Sequence, residues 1–181
     1  MLRVGVGYPE FQAVYHMPWD DDLEFAFGGA VAYGFNAKTA GDVLSVRVKG
    51  EGRWRIWKDG EHSIALTAAP ALDIVGRPGF GLGFSPAIPG IIYDYAIKGQ
   101  HHAILGMEVP WGLFVHGNGV TARIPILGKM GMEFSVTRGL HVFVVTEFGA
   151  DIWAGRAEFG DKSYEDTYFY SSALFGTAFV L

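Results

Sequence analysis

The chain has 181 residues and a net charge of −5; half of its residues are hydrophobic and only 18% are charged, which leaves ample apolar surface to offset chain entropy and excludes intrinsic disorder. Acidic and basic residues are spread along the length without a basic stripe, which excludes nucleic acid as a partner. There is no cysteine, as suits a chain that crosses an oxidising compartment without disulfides, and no linker divides residues 1–181, so a single domain is expected.

From the start of the chain, Leu2, Val4, Val6 and Tyr8 alternate with Arg3, Gly5 and Gly7. After Pro9 the alternation resumes one step out of phase, with Phe11, Ala13, Tyr15 and Met17 on the apolar side. A bulge at Pro9 inside one long strand accounts for the slip, because an extra residue flips the facing of everything after it; two short strands are the alternative. Trp19-Asp20-Asp21-Asp22 predicts a polar turn. In the segment that follows, Leu23, Phe25, Phe27, Val31, Tyr33 and Phe35 share one face, while Glu24, Ala26, Gly28, Ala30, Ala32 and Gly34 share the other. That is a strand period, over a longer run than soluble strands usually reach.

Beyond a loop at 36–42, Leu44, Val46, Val48, Trp54 and Ile56 lie opposite Ser45, Arg47, Lys49, Glu51, Arg53 and Arg55. A face that charged cannot be the interior of a soluble sandwich, but it can meet water or turn toward a polar lumen. Lys58-Asp59-Gly60-Glu61 signals a tight hairpin, after which Ile64, Leu66, Ala68, Leu72 and Ile74 alternate with Ser63, Ala65, Thr67, Ala71 and Asp73. The Gly and Pro density from Gly76 to Gly90 predicts a long loop with at most a short extended piece at Phe80 to Phe84.

Further strands are expected at 91–98 and at 105–116, where Leu105, Met107, Val109, Trp111, Leu113 and Val115 alternate with Gly106, Glu108, Gly112 and His116. Gly117-Asn118-Gly119 turns the chain into a strand over 120–136, with Ile124, Ile126, Met130, Met132 and Phe134 set against Arg123, Lys129 and Glu133. A turn at Thr137-Arg138-Gly139 leads to Leu140, Val142, Val144, Phe148 and Ile152, which alternate with His141, Glu147 and Asp151. The polar stretch 155–166 reads as a surface loop. The last strand carries Phe169, Phe175, Phe179 and Leu181 on one face, with Ser172, Gly176 and Ala178 on the other.

No segment has helical spacing, and the longest uncharged runs, 78–93 and 167–181, are broken by Gly, Pro, Ser or Thr. A membrane-spanning helix, which needs about 20 consecutive apolar residues, is therefore excluded. Barrel strands cross the hydrocarbon in about 9 to 11 residues, and many of these segments are long enough. Tyr15, Trp19, Tyr33, Trp54, Trp57, Tyr93, Tyr95, Trp153, Tyr164 and Tyr168 fall near predicted strand ends, where rings settle at a membrane–water boundary. The fold class read from the sequence is all-β: a closed, antiparallel, up-and-down transmembrane β-barrel of about 8 to 10 strands. The soluble alternative is a lipocalin-like barrel or sandwich with the apolar faces turned inward.

With these long alternating strands and their short and long connections, the chain resembles the small bacterial outer-membrane β-barrel proteins over nearly its whole length. The resemblance implies a Gram-negative outer membrane, contact with outer-membrane lipid and insertion by the barrel assembly machinery. Such barrels often end in an aromatic residue that serves as an assembly signal; Phe175 and Phe179 fit that rhythm, whereas the last residue is Leu181. The segment Met1-Leu2-Arg3-Val4-Gly5 is unlike a secretory signal, so an exported form would be a mature chain or one restarted at Met1.

If the apolar faces meet lipid, the lumen collects Glu24, Arg47, Lys49, Glu51, Arg53, Arg55, Asp73, Glu108, Arg123, Lys129, Glu133, Glu147 and Asp151. Signs are roughly balanced, and enclosed opposite charges pair because an isolated buried ion is costly. A filled, charge-paired lumen in a structural or interaction component is therefore expected; a narrow channel for small solutes is the alternative. The six histidines are scattered, and no Ser or carboxylate stands at a spacing that specifies a nucleophile and its base, so neither enzyme activity, nor a metal site, nor a cofactor is expected. His101-His102 is the one local cluster, and neighbours on a strand point to opposite faces. Phe80, Leu82, Phe84 and Ile88 would give the 76–90 loop an apolar surface for a protein partner among the extracellular loops.

Overall fold

A computed structural model describes residues 1–8, 10–36, 41–77, 80–98, 101–117, 119–156 and 163–180. Thirteen strand segments form one antiparallel sheet closed on itself: β1 (Leu2–Tyr8), β2 (Glu10–Pro18), β3 (Leu23–Asn36), β4 (Gly41–Asp59), β5 (His62–Ala68), β6 (Ala71–Arg77), β7 (Gly81–Ser85), β8 (Gly90–Ile97), β9 (His101–Glu108), β10 (Gly112–His116), β11 (Gly119–Thr137), β12 (Leu140–Arg156) and β13 (Ser163–Phe179). Between the long strands β4 and β11 the wall is made of in-line pairs. β5 and β6 both lie antiparallel to β4, β8 and β7 flank them, and β9 and β10 come next. Each pair is a single stave, so ten staves close the barrel.

Proline explains the interruptions. It offers no N–H to a ladder, and Pro70, Pro86, Pro89 and Pro110 sit in the gaps between the paired segments. Backbone bonds from Gly50 N to Pro70 O (3.0 Å), Ala69 N to Ile88 O (3.2 Å) and Val109 N to Pro89 O (3.0 Å) hold the wall together along this seam. On the neighbouring stave the buried Pro125 lies within β11.

The phase slip at Pro9 has a different origin from the expected bulge. β1 and β2 pair antiparallel with Val6 opposite Phe11 and Leu2 opposite Tyr15, so they are two short strands of a tight hairpin; Pro9 itself lies outside the described residues. Partners across a hairpin share a face, and pairing even with odd numbers makes the apolar parity switch at the turn. Nor is 76–90 a long loop. β6 runs to Arg77 and β7 occupies Gly81–Ser85, so most of the segment belongs to the wall, where Gly and Pro mark the seam.

Orientation follows the alternation. Phe27, Val46 and Val48 face outward with 59%, 44% and 56% of their surface exposed, whereas Ala26 and Ala30 on the opposite face of β3 are buried. Apolar side chains lie inside too: Phe143, Leu174 and Ala178 form a cluster with Met1 and Val145 packed on it, and Ala69, Ala71 and Ile88 form another behind the seam.

Two turns at the rim holding Met1 are tight. Asp20 Oδ1 accepts from Asp22 N (2.8 Å) and Leu23 N (2.7 Å), and Gly60 takes φ +57° between β4 and β5, a conformation that favours glycine.

Candidate functional site

The barrel encloses a cavity of about 590 Å³. Ten of the thirteen charged residues assigned to a lumen line it: Arg47, Lys49, Glu51, Arg53, Asp73, Glu108, Arg123, Lys129, Glu147 and Asp151. Glu24 and Glu133 lie below it, and Arg55 stands at the Met1 rim, 3.6 Å from Asp22.

Register decides the pairing. Arg47 is the direct cross-strand partner of Asp73 and donates from Nε to Oδ1 at 2.7 Å; Lys129 is the direct partner of Glu147, 3.0 Å away, and donates to Glu108 at 2.9 Å. Opposed charges on one face are the unit in which a sheet gains from ion pairs. Ser172 donates to Glu147 at 3.5 Å. Arg123 holds both oxygens of Asp151.

The floor of the cavity is denser. Arg3 donates to Glu133 across β13 and β12. The Arg3 guanidinium lies 5.7 Å from the Phe143 ring. His141 Nδ1 is 3.0 Å from Glu133 without hydrogen-bond alignment, so the attraction is ionic when the ring is protonated. His16 Nδ1 lies 2.9 Å from Glu24, whose direct partner Arg53 is 3.8 Å away and reaches Glu51 at 3.6 Å. The terminal amine of Met1 donates to His16 O at 2.7 Å. Glu133 and His16 retain only 4% and 6% exposure.

Alternation also pointed inward at Arg3 and Glu10, which were not named as lumen residues, and the histidine–carboxylate contacts could not be read before the register was known. The two histidines of His101-His102 do diverge: His102 lies 2.9 Å from Asp94, whereas His101 accepts from Ser135 N at 3.2 Å. Among the described residues no group of three or more His, Cys, Asp or Glu is placed to hold a metal ion. Of the four apolar residues assigned to a docking loop, Leu82 and Phe84 are outward residues of β7, Phe80 precedes it with 69% exposure, and Ile88 is buried against Ala69 and Ala71.

An apolar outer wall around a charged interior, in an antiparallel sheet closed on itself, defines a membrane-spanning β-barrel. No family model matches the chain, and no curated protein matches it. Solved structures with a similar course of the chain are OmpT of Vibrio cholerae (14% identity, 94% of this chain and 55% of that one, TM-score 0.41), a bacterial polysaccharide outer-membrane secretin (12%, 99% and 58%, TM-score 0.48) and the NanC porin (11%, 99% and 98%, TM-score 0.44). The chain thus spans a little over half the length of the first two.

Proposed function

We propose that this chain is an integral barrel of a bacterial outer membrane whose lumen is closed by paired charges on the Met1 side, and that it acts as a structural or interaction component without conducting solutes. The observation that carries the reading is the floor: Glu133 binds Arg3 from the far side of two intervening strands and is almost fully buried there, beside the His16–Glu24–Arg53 chain. A water column wide enough for a solute would leave Glu133 wet. Above the floor lies the chamber of about 590 Å³. Insertion by the barrel assembly machinery belongs to the same proposal, since a closed sheet cannot enter the bilayer stave by stave without leaving unpaired backbone in lipid.

Planar-bilayer recordings of the refolded protein test this. No steady conductance is expected from the natural sequence, and Arg3→Ala with Glu133→Ala should produce discrete steps. Sustained steps from the unaltered chain would establish the narrow channel instead.

A further inference from the structure

The wall has a notch. β1 covers β13 only from Ala173 to Phe179, yet β13 continues, paired with β12, back to Ser163. β2 likewise covers β3 only from Glu24 to Ala32, yet β3 continues, paired with β4, to Asn36. Beyond Tyr8 and Glu10, β13 and β3 therefore face each other with no strand between them among the described residues. Two missing strands leave a gap on the order of 10 Å, and the uncovered stretch Tyr33–Asn36 is about 13 Å long. Tyr33 Oη donates to Gly7 O at 2.5 Å and ties the floor of the notch.

The cavity reaches this gap. Its lining on the strands is inward-facing except for Tyr8, Tyr33, Phe169, Ser171 and Ala173, and all five lie on the strands that border the notch. Outside, Phe169 is 79% exposed, and Phe11 and Val31 continue the apolar surface. Inside stand Glu10, Tyr170, Ser172 and Lys49. Free strand edges beside hydrocarbon need polar partners that lipid tails cannot supply. Glu10 and Lys49 line the chamber without an ion-pair contact among the described residues, while the other carboxylates and the Lys and Arg side chains of the lining are paired.

We propose that the notch between β3 and β13 is a lateral portal through which a single-chain zwitterionic amphiphile enters the chamber, its headgroup meeting Glu10 and Lys49 and its tail lying past Phe169 and Tyr33 toward the bilayer. This rests on the membrane-barrel reading but not on the floor being closed.

The probe is a lysophosphatidylcholine with a photoreactive tail, added to the refolded full chain in vesicles, with a long-chain fatty acid carrying the same tail in parallel. Labelling is expected at Tyr33, Phe169 and Ser171 from the zwitterionic probe, with Lys49→Gln and Glu10→Gln each lowering it about tenfold, the weight of one charge-assisted hydrogen bond. Heat-modified gel migration identifies variants that failed to fold, and Gln12→Asn, a lining residue outside the proposed contacts, serves as the matched control. Labelling spread evenly over the outer wall, at Val48 and Ile126 as much as at Phe169, overturns the portal. Equal labelling by the fatty acid, or labelling unchanged in Lys49→Gln and Glu10→Gln, overturns the headgroup assignment. A barrel that conducts but labels at the notch keeps the portal and loses the closed floor; one that neither conducts nor labels does the reverse.

Discussion

Arg123 donates from Nε and Nη2 to the two carboxylate oxygens of Asp151, both at 2.8 Å, in the fork geometry that only a guanidinium offers. Both side chains are largely buried, with 16% and 11% exposure, so each is the other's replacement for water. Removing Asp151 takes away both of these charge-assisted bonds at once.

Asp151→Ala is therefore expected to destabilise the folded barrel by about 3–5 kcal/mol, whereas Arg123→Leu combined with Asp151→Leu should cost much less, because the two charges are removed together. Urea unfolding in lipid vesicles, followed by tryptophan emission, measures both. A double variant as unstable as the single one would mean that the pair contributes packing and not charge compensation.

Ile88 separates the wall from the loop expected at 76–90. It is buried with Ala69 and Ala71 behind the proline seam, so Ile88→Ala should leave a void and cost about 2–5 kcal/mol. A docking-loop residue would leave stability untouched and change only partner capture. The same unfolding curve decides, with Phe80→Ala, exposed ahead of β7, as the near-neutral comparison.

Alternation was enough to place most of the fold because a two-residue period is local: Phe27, Val46 and Val48 declared an outer face, and Arg47 to Arg55 an inner one, without any knowledge of neighbours. Register is not local. That Arg47 meets Asp73, that Lys129 sits between Glu108 and Glu147 and that Arg3 reaches Glu133 all depend on which strands adjoin. Pro9 misled because a bulge and a tight hairpin impose the same parity switch. The 76–90 segment misled because Gly and Pro mark a stave interrupted at Pro86 and Pro89 as readily as they mark a loop. The notch has no sequence signal at all; it appears only when the lengths of β1 and β2 are set beside those of β13 and β3.

The Met1 rim gathers Trp19, Trp54 and Trp57 on the outside, with 75%, 58% and 45% exposure, and Trp19 packs edge-on against Phe25 at 6.0 Å between ring centroids. Indoles settle where an apolar ring meets the headgroups. In vesicles, single-tryptophan variants retaining Trp54 or Trp57 are expected to be quenched most by lipids brominated near the headgroup and least by those brominated at the tail end. Equal quenching by water-soluble acrylamide and no response to brominated lipid would place that rim in bulk solvent.

The sharpest check on orientation sets two arginines against each other. Val48 lies outward on β4, between the Trp54 end and the far rim, and Gln12 lies inward on β2 within the chamber lining. On the lipid face near the midplane an arginine costs about 2–4 kcal/mol, because its charge must be dragged to an interface or solvated by a local defect. In the chamber the same side chain finds Glu10, one alternation away on the same face of β2, and free water. Val48→Arg should therefore lower the urea midpoint in vesicles well below that of the natural chain, while Gln12→Arg should leave it almost unchanged. If the two responses were exchanged, Val48 would face the interior and the charged side of β4 would face solvent, as in a soluble barrel.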